Sequence, residues 1–401
     1  MAPDAFDSTP DEPPRAAFAD LRGLSREALA ALVQELGEKP FRARQLFAWL
    51  HARGARSLDE MTDLSRAFRE RLARSHRLGA LALDETQVSC DGTQKFRFRT
   101  EDGHFIEAVF MPDDERRTLC VSTQIGCPMG CAFCRTARLG LTRSLTASEI
   151  LAQIYAVNRA VAAQGFTSKR PLTNLVFMGM GEPFLNFDNL TCALALLQDD
   201  AGLNFSRRHI TVSTSGLVPM IERFGEVTEN KLAVSLNASC DAQRDRLMPV
   251  NHRYPIAELI AACRRFPLRQ GRRITFEYVL LDGLNDALDD ARRVAALLRG
   301  IEAKVNLIPY NESPDLPFRS VPIERAEAFR DVLLGQGIVA VIRKNRGRDI
   351  FAACGQLAAK GLADDRARLD GAAPGRPDTA ATPDTAATSD TTDTAGTSDG
   401  R

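Results

Sequence analysis

No apolar run in this 401-residue chain reaches the length of a membrane span. The N-terminus, Met1-Ala2-Pro3-Asp4-Ala5-Phe6-Asp7, is acidic and has no apolar core, so it does not read as a signal peptide. Both absences predict a cytoplasmic protein. Net charge is absent too, since 52 Lys and Arg balance 52 Asp and Glu. Composition therefore points to no polyanionic partner, and any such contact must come from local basic patches. Nine cysteines are too few for a disulfide scaffold in a chain this long. Their clustering suits a reducing compartment in which thiols hold metal. Residues 370–401 contain no Leu, Ile, Val or aromatic, and Asp-Thr-Ala-Ala-Thr occurs there twice. The tail 363–401 is expected to be disordered, as are the Pro- and Asp-rich residues 1–20.

What the chain does have is concentrated in Gln124-Ile125-Gly126-Cys127-Pro128-Met129-Gly130-Cys131-Ala132-Phe133-Cys134. The spacing is CxxxCxxC. Three thiolates this close can hold three irons of a [4Fe–4S] cube. The fourth iron is left open to bind a small molecule and pass it an electron. Gly126 and Gly130 let the backbone curl around the cube. The stretch reads as the cluster loop of a radical S-adenosylmethionine (SAM) enzyme. The competing reading is a zinc site in an RNA-binding module. Zinc wants four ligands, no second CxxC exists, and only Cys120 could be recruited.

Around this loop the periodicity predicts four regions. Residues 21–77 form a small helical domain. It has an N-cap at Ser25 and apolar stripes at Leu29, Leu32, Val33 and Leu36, then Leu46, Phe47 and Leu50, then Met61, Leu64, Phe68 and Leu72. Lys39, Arg42, Arg44, Arg53 and Arg56 give it a basic face suited to RNA phosphates, or simply to solvent. Residues 78–117 alternate around Asp91-Gly92 and Asp102-Gly103, predicting a β extension. Residues 118–311 alternate strands at 119–123, 175–180, 210–214, 232–236, 274–280 and 305–309 with amphipathic helices. The fold class is α/β, a partial (β/α)6 barrel with active residues at the C-terminal strand ends. Residues 312–362 form a C-terminal extension with a helix near 323–334 and a strand near 338–343.

Several residues stand out at those strand ends. Gly179-Met180-Gly181-Glu182-Pro183 follows the second strand. Its glycines let backbone approach a ligand, and Glu182 can accept from the amino group of SAM. Ser213, Ser235-Leu236-Asn237 and Asn311 end later strands, where they serve equally as caps or turn formers. Glu107 lies between apolar neighbours, and the bland reading turns it outward. Cys354 follows Arg343, Lys344, Arg346 and Arg348, whose charge favours the thiolate. Cys90, Cys192, Cys240 and Cys263 read as small apolar fillers.

The sequence resembles the RlmN family of RNA methyltransferases. The matching stretches are Cys120–Cys127, the cluster cysteines, Gly179–Asn186, Ser213–Gly216, Asn306–Asn311 and Ala352–Leu357, within residues 20–360. Glu182-Pro183 fits RlmN better than the related Cfr enzymes, which methylate adenine at C8. The resemblance implies that Cys127, Cys131 and Cys134 bind [4Fe–4S]. It implies that Gly181, Glu182, Ser213, Ser235, Leu236, Asn237 and Asn311 bind SAM, two per turnover. Cys354 would be S-methylated, and a radical made from the second SAM would activate that methyl group for addition to adenine C2. Glu107 would accept a proton. Cys120 would close a disulfide with Cys354 and release 2-methyladenosine. The implied substrates are 23S rRNA, in the peptidyl-transferase centre, and tRNA, just 3′ of the anticodon. The implied partner is an electron donor such as flavodoxin or ferredoxin, and the implied state is a monomer. The family commonly has His where Asn237 stands.

Overall fold

The computed structural model describes residues 19–79, 81–166, 170–313 and 315–357. Residues 1–18 and the tail 363–401, both expected to be disordered, lie outside the described residues. Ala19 and Asp20 depart from that expectation, because they pair with His76 and Arg77.

The three apolar stripes become three helices, α1 (Arg26–Glu35), α2 (Phe41–Phe47) and α3 (Arg66–Ser75). Ser25 caps α1 by accepting from Ala28 N at 3.2 Å. Leu29, Leu32, Leu46, Leu50, Phe68 and Leu72 are buried, which is what holds the short helices together. The basic face is partly neutralised, because Arg42, Arg53 and Arg56 pair with Glu38, Asp63 and Glu60. Such exposed pairs add little stability, but they remove charge from the face. The helical region is seated on the core by two buried groups. Arg22 donates to Gly79 O at 2.9 Å and Ala55 O at 2.7 Å. His51 Nδ1 meets the Tyr155 hydroxyl at 2.8 Å, and burial pushes this imidazole down to about 3, so it stays neutral.

The next segments are β1 (Ala82–Val88), β2 (Gln94–Arg99), β3 (Phe105–Asp113) and β4 (Arg116–Cys120). The cluster loop opens with a hairpin of β5 (Gln124–Cys127) and β6 (Gly140–Ser144). Then α4 (Ala147–Ala163) starts at the Thr146/Glu149 capping box and leads to β7 (Asn174–Phe177). The chain continues through α5 (Phe187–Gln198), β8 (Ile210–Thr214), α6 (Val218–Val227) and β9 (Lys231–Ser235). Two helices follow, α7 (Asp241–Leu247) and α8 (Ile256–Arg265), then β10 (Ile274–Leu280). The remainder is α9 (Leu288–Leu298), β11 (Ala303–Pro309), α10 (Ile323–Gly335) and β12 (Val339–Ile342).

One 10-stranded sheet runs β12-β11-β10-β9-β8-β7-β4-β3-β2-β1. From β12 to β4 it is parallel, and β3, β2 and β1 continue it antiparallel. The expected β extension is therefore an edge of the barrel sheet. So is the strand of the C-terminal extension, since β12 pairs with β11 and adds a seventh parallel strand to the expected six. Register carries a single sheet face through the molecule. Cys120 lies opposite Val109 and Val176, Ser235 opposite Glu277, and Glu277 opposite Asn306. Among the described residues no helix is long and apolar enough to cross a membrane.

Candidate active site

The C-terminal strand ends surround one cavity. Its wall includes Cys127, Cys131, Cys134, Gly181, Glu182, Ser213, Ser235, Asn237, Asn311 and Cys354. Three sequence-predicted residues stand off that wall. Leu236 is fully buried, donates its N–H to Glu277 O at 3.0 Å and gives its carbonyl to Arg244. Cys120 is buried on β4 and does not line the wall; burial, with Cys354 adding to it, raises its thiol. Glu107 lies on β3 and is 2% exposed, so the outward-facing reading is wrong. Its carboxylate is 3.3 Å from Lys95 Nζ, itself buried. The pair shares the sheet face of Cys120. Loss of hydration is offset there by an opposite charge.

The cluster loop is bent where the sequence predicts. Gly126 has φ +77° and Gly130 φ +66°. A Cβ on Gly126 would sit 1.8 Å from Gly140 O. Gly179 and Gly181 line the cavity, and on their Cβ side they lie close against the chain itself. A Cβ at Gly179 would lie 2.8 Å from the Val121 carbonyl, and one at Gly181 would lie 2.5 Å from Gln124 Cβ. Gly181 also has φ +98°, a conformation open almost only to glycine. Gly181→Ala is expected to cost about 2–4 kcal/mol, read as a fall in denaturation midpoint. Gly130→Ala should cost less, because its added carbon meets only Pro249 Cγ at 3.5 Å.

Electrostatics divide the cysteines. Burial pushes the Cys127 thiol well up, and Cys131 to about 12, with repulsion between the neighbouring thiols adding to it. The three thiols line one cavity, and among the described residues no group of three His, Cys, Asp or Glu is placed to hold a single metal ion. Cys354 is exposed at the cavity mouth. Enough protein still surrounds its sulfur that lost hydration raises the thiol, and Arg343 only partly opposes this. The expected lowering by the basic loop is thus outweighed. That loop is instead pinned: Gly347 N donates to Asp91, Ser89 Oγ to Asp349, and Arg346 pairs with Asp113. Behind Cys354, Arg135 N donates to Gly355 O at 2.8 Å, tying the loop to the cluster segment. Among the expected fillers, Cys263 is buried, Cys192 and Cys240 are half-buried, and Cys90 is exposed.

Glu182 is the buried carboxylate of the wall. It accepts from Ser215 N at 2.7 Å and Phe184 N at 3.1 Å, yet burial still raises its pKa. Three further wall atoms, Ser215 Oγ, Tyr310 Oη and Asn311 Oδ1, are buried without a partner in the protein. Orphaned polar atoms facing one cavity fit a polar ligand such as SAM. Asn237 adopts φ +54°, which Asn tolerates, and its Oδ1 accepts from Val279 N at 2.8 Å. Its side chain therefore serves the fold. Sequence reasoning missed Ser215, Tyr310 and Glu277; an alternating strand with a carboxylate at its centre, Thr275-Phe276-Glu277-Tyr278, is the unused signal for the last. A larger cavity of about 740 Å³ opens among Arg207, Glu229, Arg269 and Arg272. Its charges largely pair with one another and none of the cysteines lines it.

Comparison with known proteins agrees with this geometry. Residues 19–78 match the ribosomal RNA large subunit methyltransferase N-terminal domain, and 121–295 match the radical SAM superfamily. The dual-specificity RNA methyltransferase RlmN of Anaeromyxobacter dehalogenans is 58% identical over 360 residues, covering 89% of this chain and 97% of that protein. RlmN 2 of Myxococcus xanthus is 59% identical over 351 residues, covering 87% and 93%. The crystal structure of a radical SAM methyltransferase from Sphaerobacter thermophilus superposes with a TM-score of 0.81 at 47% identity, covering 85% of this chain and 100% of that one. The [4Fe–4S] cluster and SAM are the cofactors of this fold, and the wall described above fits both. With nearly the whole length of such relatives matched, the chain belongs to the RlmN family of dual-specificity radical SAM RNA methyltransferases.

Proposed function

We propose that the enzyme methylates C2 of adenosine in 23S rRNA, in the peptidyl-transferase centre, and in tRNA, 3′ of the anticodon. The observation that carries this is the match to RlmN relatives along nearly their whole length, together with the one cavity lined by Cys127, Cys131, Cys134 and Cys354. When bound, SAM and the cluster supply the methyl group and the radical that activates it. Cys354 accepts the methyl group. Its thiol must first lose a proton, and Arg343 is the cation that eases the loss. Its place at the mouth lets the base reach it, and the pinned loop fixes it there. Cys127, Cys131 and Cys134 hold the cluster, while Gly181, Glu182, Ser213, Ser235 and Asn311 receive SAM. Asn237 contributes to the wall, and Leu236 lies behind it, where its carbonyl holds Arg244. Glu107, 3.3 Å from Lys95 Nζ, takes the C2 proton. With the methylene carbon of Cys354 bonded to C2 and the adduct's unpaired electron returned to the one-electron centre that supplied it, Cys120 loses its proton and bonds to the Cys354 sulfur. The carbon–sulfur bond breaks, and its electron pair stays on carbon and takes up a proton. Both thiols are free in the structure, and the disulfide is an intermediate of turnover. The reductant is flavodoxin- or ferredoxin-like, and the enzyme acts as a cytoplasmic monomer. A deletion strain should lack 2-methyladenosine in both RNAs by mass analysis of nucleosides. Retention in both would refute the assignment, and an 8-methyladenosine loss instead would mark a Cfr-like activity.

A further inference from the structure

Arg244, on α7, has no exposed surface. A guanidinium so placed needs counter-charge or a full set of acceptors. Its hydrogen bonds run only to neutral groups. Nε donates to Leu236 O at 3.1 Å and Nη1 to Asn251 Oδ1 at 3.1 Å. Nη2 donates to Ser215 O at 2.6 Å and Ser235 O at 3.1 Å. The nearest carboxylates, Asp241 and Asp245, are hydrogen-bonded by Asn251 Nδ2. Ser215 and Ser235 line the cavity, so one side chain ties together two of the strand ends that form its wall.

The same helix is fastened to the cluster loop. Ala132 N, between Cys131 and Cys134, donates to Leu247 O at 3.0 Å. Gly130 lies against Pro249 just beyond the helix. Arg244 is thereby held near Cys131. Burial pushes its guanidinium down to about 10, and the Cys131 thiolate is foremost among the groups that oppose this. A fixed positive charge in a poorly hydrated interior favours whichever state of a nearby centre is more negative.

We propose that Arg244 is a positioning residue that locks the ends of β8 and β9 and, from behind Cys131, makes the cluster easier to reduce. This rests on the cluster assignment for Cys127, Cys131 and Cys134. The charge that would complete the guanidinium's surroundings is that of the loaded cluster.

The test is a redox titration of anaerobically reconstituted protein, followed by electron paramagnetic resonance of the reduced cluster, without RNA. Arg244→Gln removes the charge, and Arg244→Lys keeps it while losing most of the four bonds. At a fixed potential the reduced-to-oxidised ratio of the Gln variant should fall about tenfold, a midpoint lowered by ~59 mV for one electron. The Lys variant should stay within about threefold of wild type. Asn251→Asp leaves Arg244 in place and sets a carboxylate against Nη1, so it should lower the midpoint like Gln. This variant also decides the matter if the Gln variant does not fold. A loaded Gln or Asp variant at the wild-type midpoint overturns the proposal, as does a Lys variant that falls as far as Gln. Wild-type protein that binds no iron overturns the cluster assignment itself.

Discussion

Cys120→Ala is expected to leave the protein covalently joined to RNA through Cys354. The variant keeps the cluster thiols, the cavity wall and the exposed methyl acceptor. Every step up to carbon–carbon bond formation should therefore proceed. Release needs a second sulfur, and Cys120 is the thiol whose field overlaps that of Cys354 outside the cluster set. Burial holds the Cys120 thiol strongly protonated at rest. It stays inert until the adduct forms, which protects the methylated Cys354 from premature attack. If Cys120 were only a buried strand filler, alanine would cost about 1 kcal/mol of packing and leave clean protein. Purified variant, digested with nuclease and weighed, separates the outcomes. A nucleotide mass on the peptide containing Cys354 is expected, and unmodified protein with near-normal turnover would refute the release role.

Replacing Cys127, Cys131 or Cys134 singly by Ala should abolish both cluster assembly and methylation. The wall carries the three clustered thiols, and its fourth thiol, Cys354, is the one assigned to accept the methyl group. Loss of one leaves two, too few to fix a cube. The fold itself should survive, since the hairpin and the bonds from Ala132 and Arg135 do not involve the sulfurs. Far-ultraviolet circular dichroism should match wild type while iron and sulfide per chain fall to background. Normal iron content in any one variant would remove that cysteine from the ligand set.

The parts legible in the sequence were those written in local order. The Thr146/Glu149 box and the apolar run Ile274–Leu280 are short-range signals, and they mark elements where expected. The cluster thiols sit within eight residues, so their partnership needs no fold. What stayed hidden depends on which strands become neighbours. Glu107 reads as outward until β2 brings Lys95 beside it. Cys354 reads as acidified by four cations until the protein around its sulfur strips away hydration and Arg346 turns to Asp113. Arg244 belongs to a polar helix, Asp-Ala-Gln-Arg-Asp-Arg-Leu, with nothing to mark one arginine as interior. The glycines of Gly179-Met180-Gly181 suggest room for a ligand, and only the fold shows that they also let the chain pack closely against Val121 and Gln124.

The pinned loop behind Cys354 bears on the order in which the enzyme is built. Domains fold from the N-terminus as synthesis proceeds. The cluster thiols emerge early and can be assembled against strands already made. The acceptor thiol comes after the last strand of the sheet, β12, and is secured by Gly347 and Asp349 reaching back to Asp91 and Ser89. A chain truncated before this point would hold the means to make a radical with no sulfur to receive it. Placing the acceptor last couples the reactive centre to completion of the polypeptide.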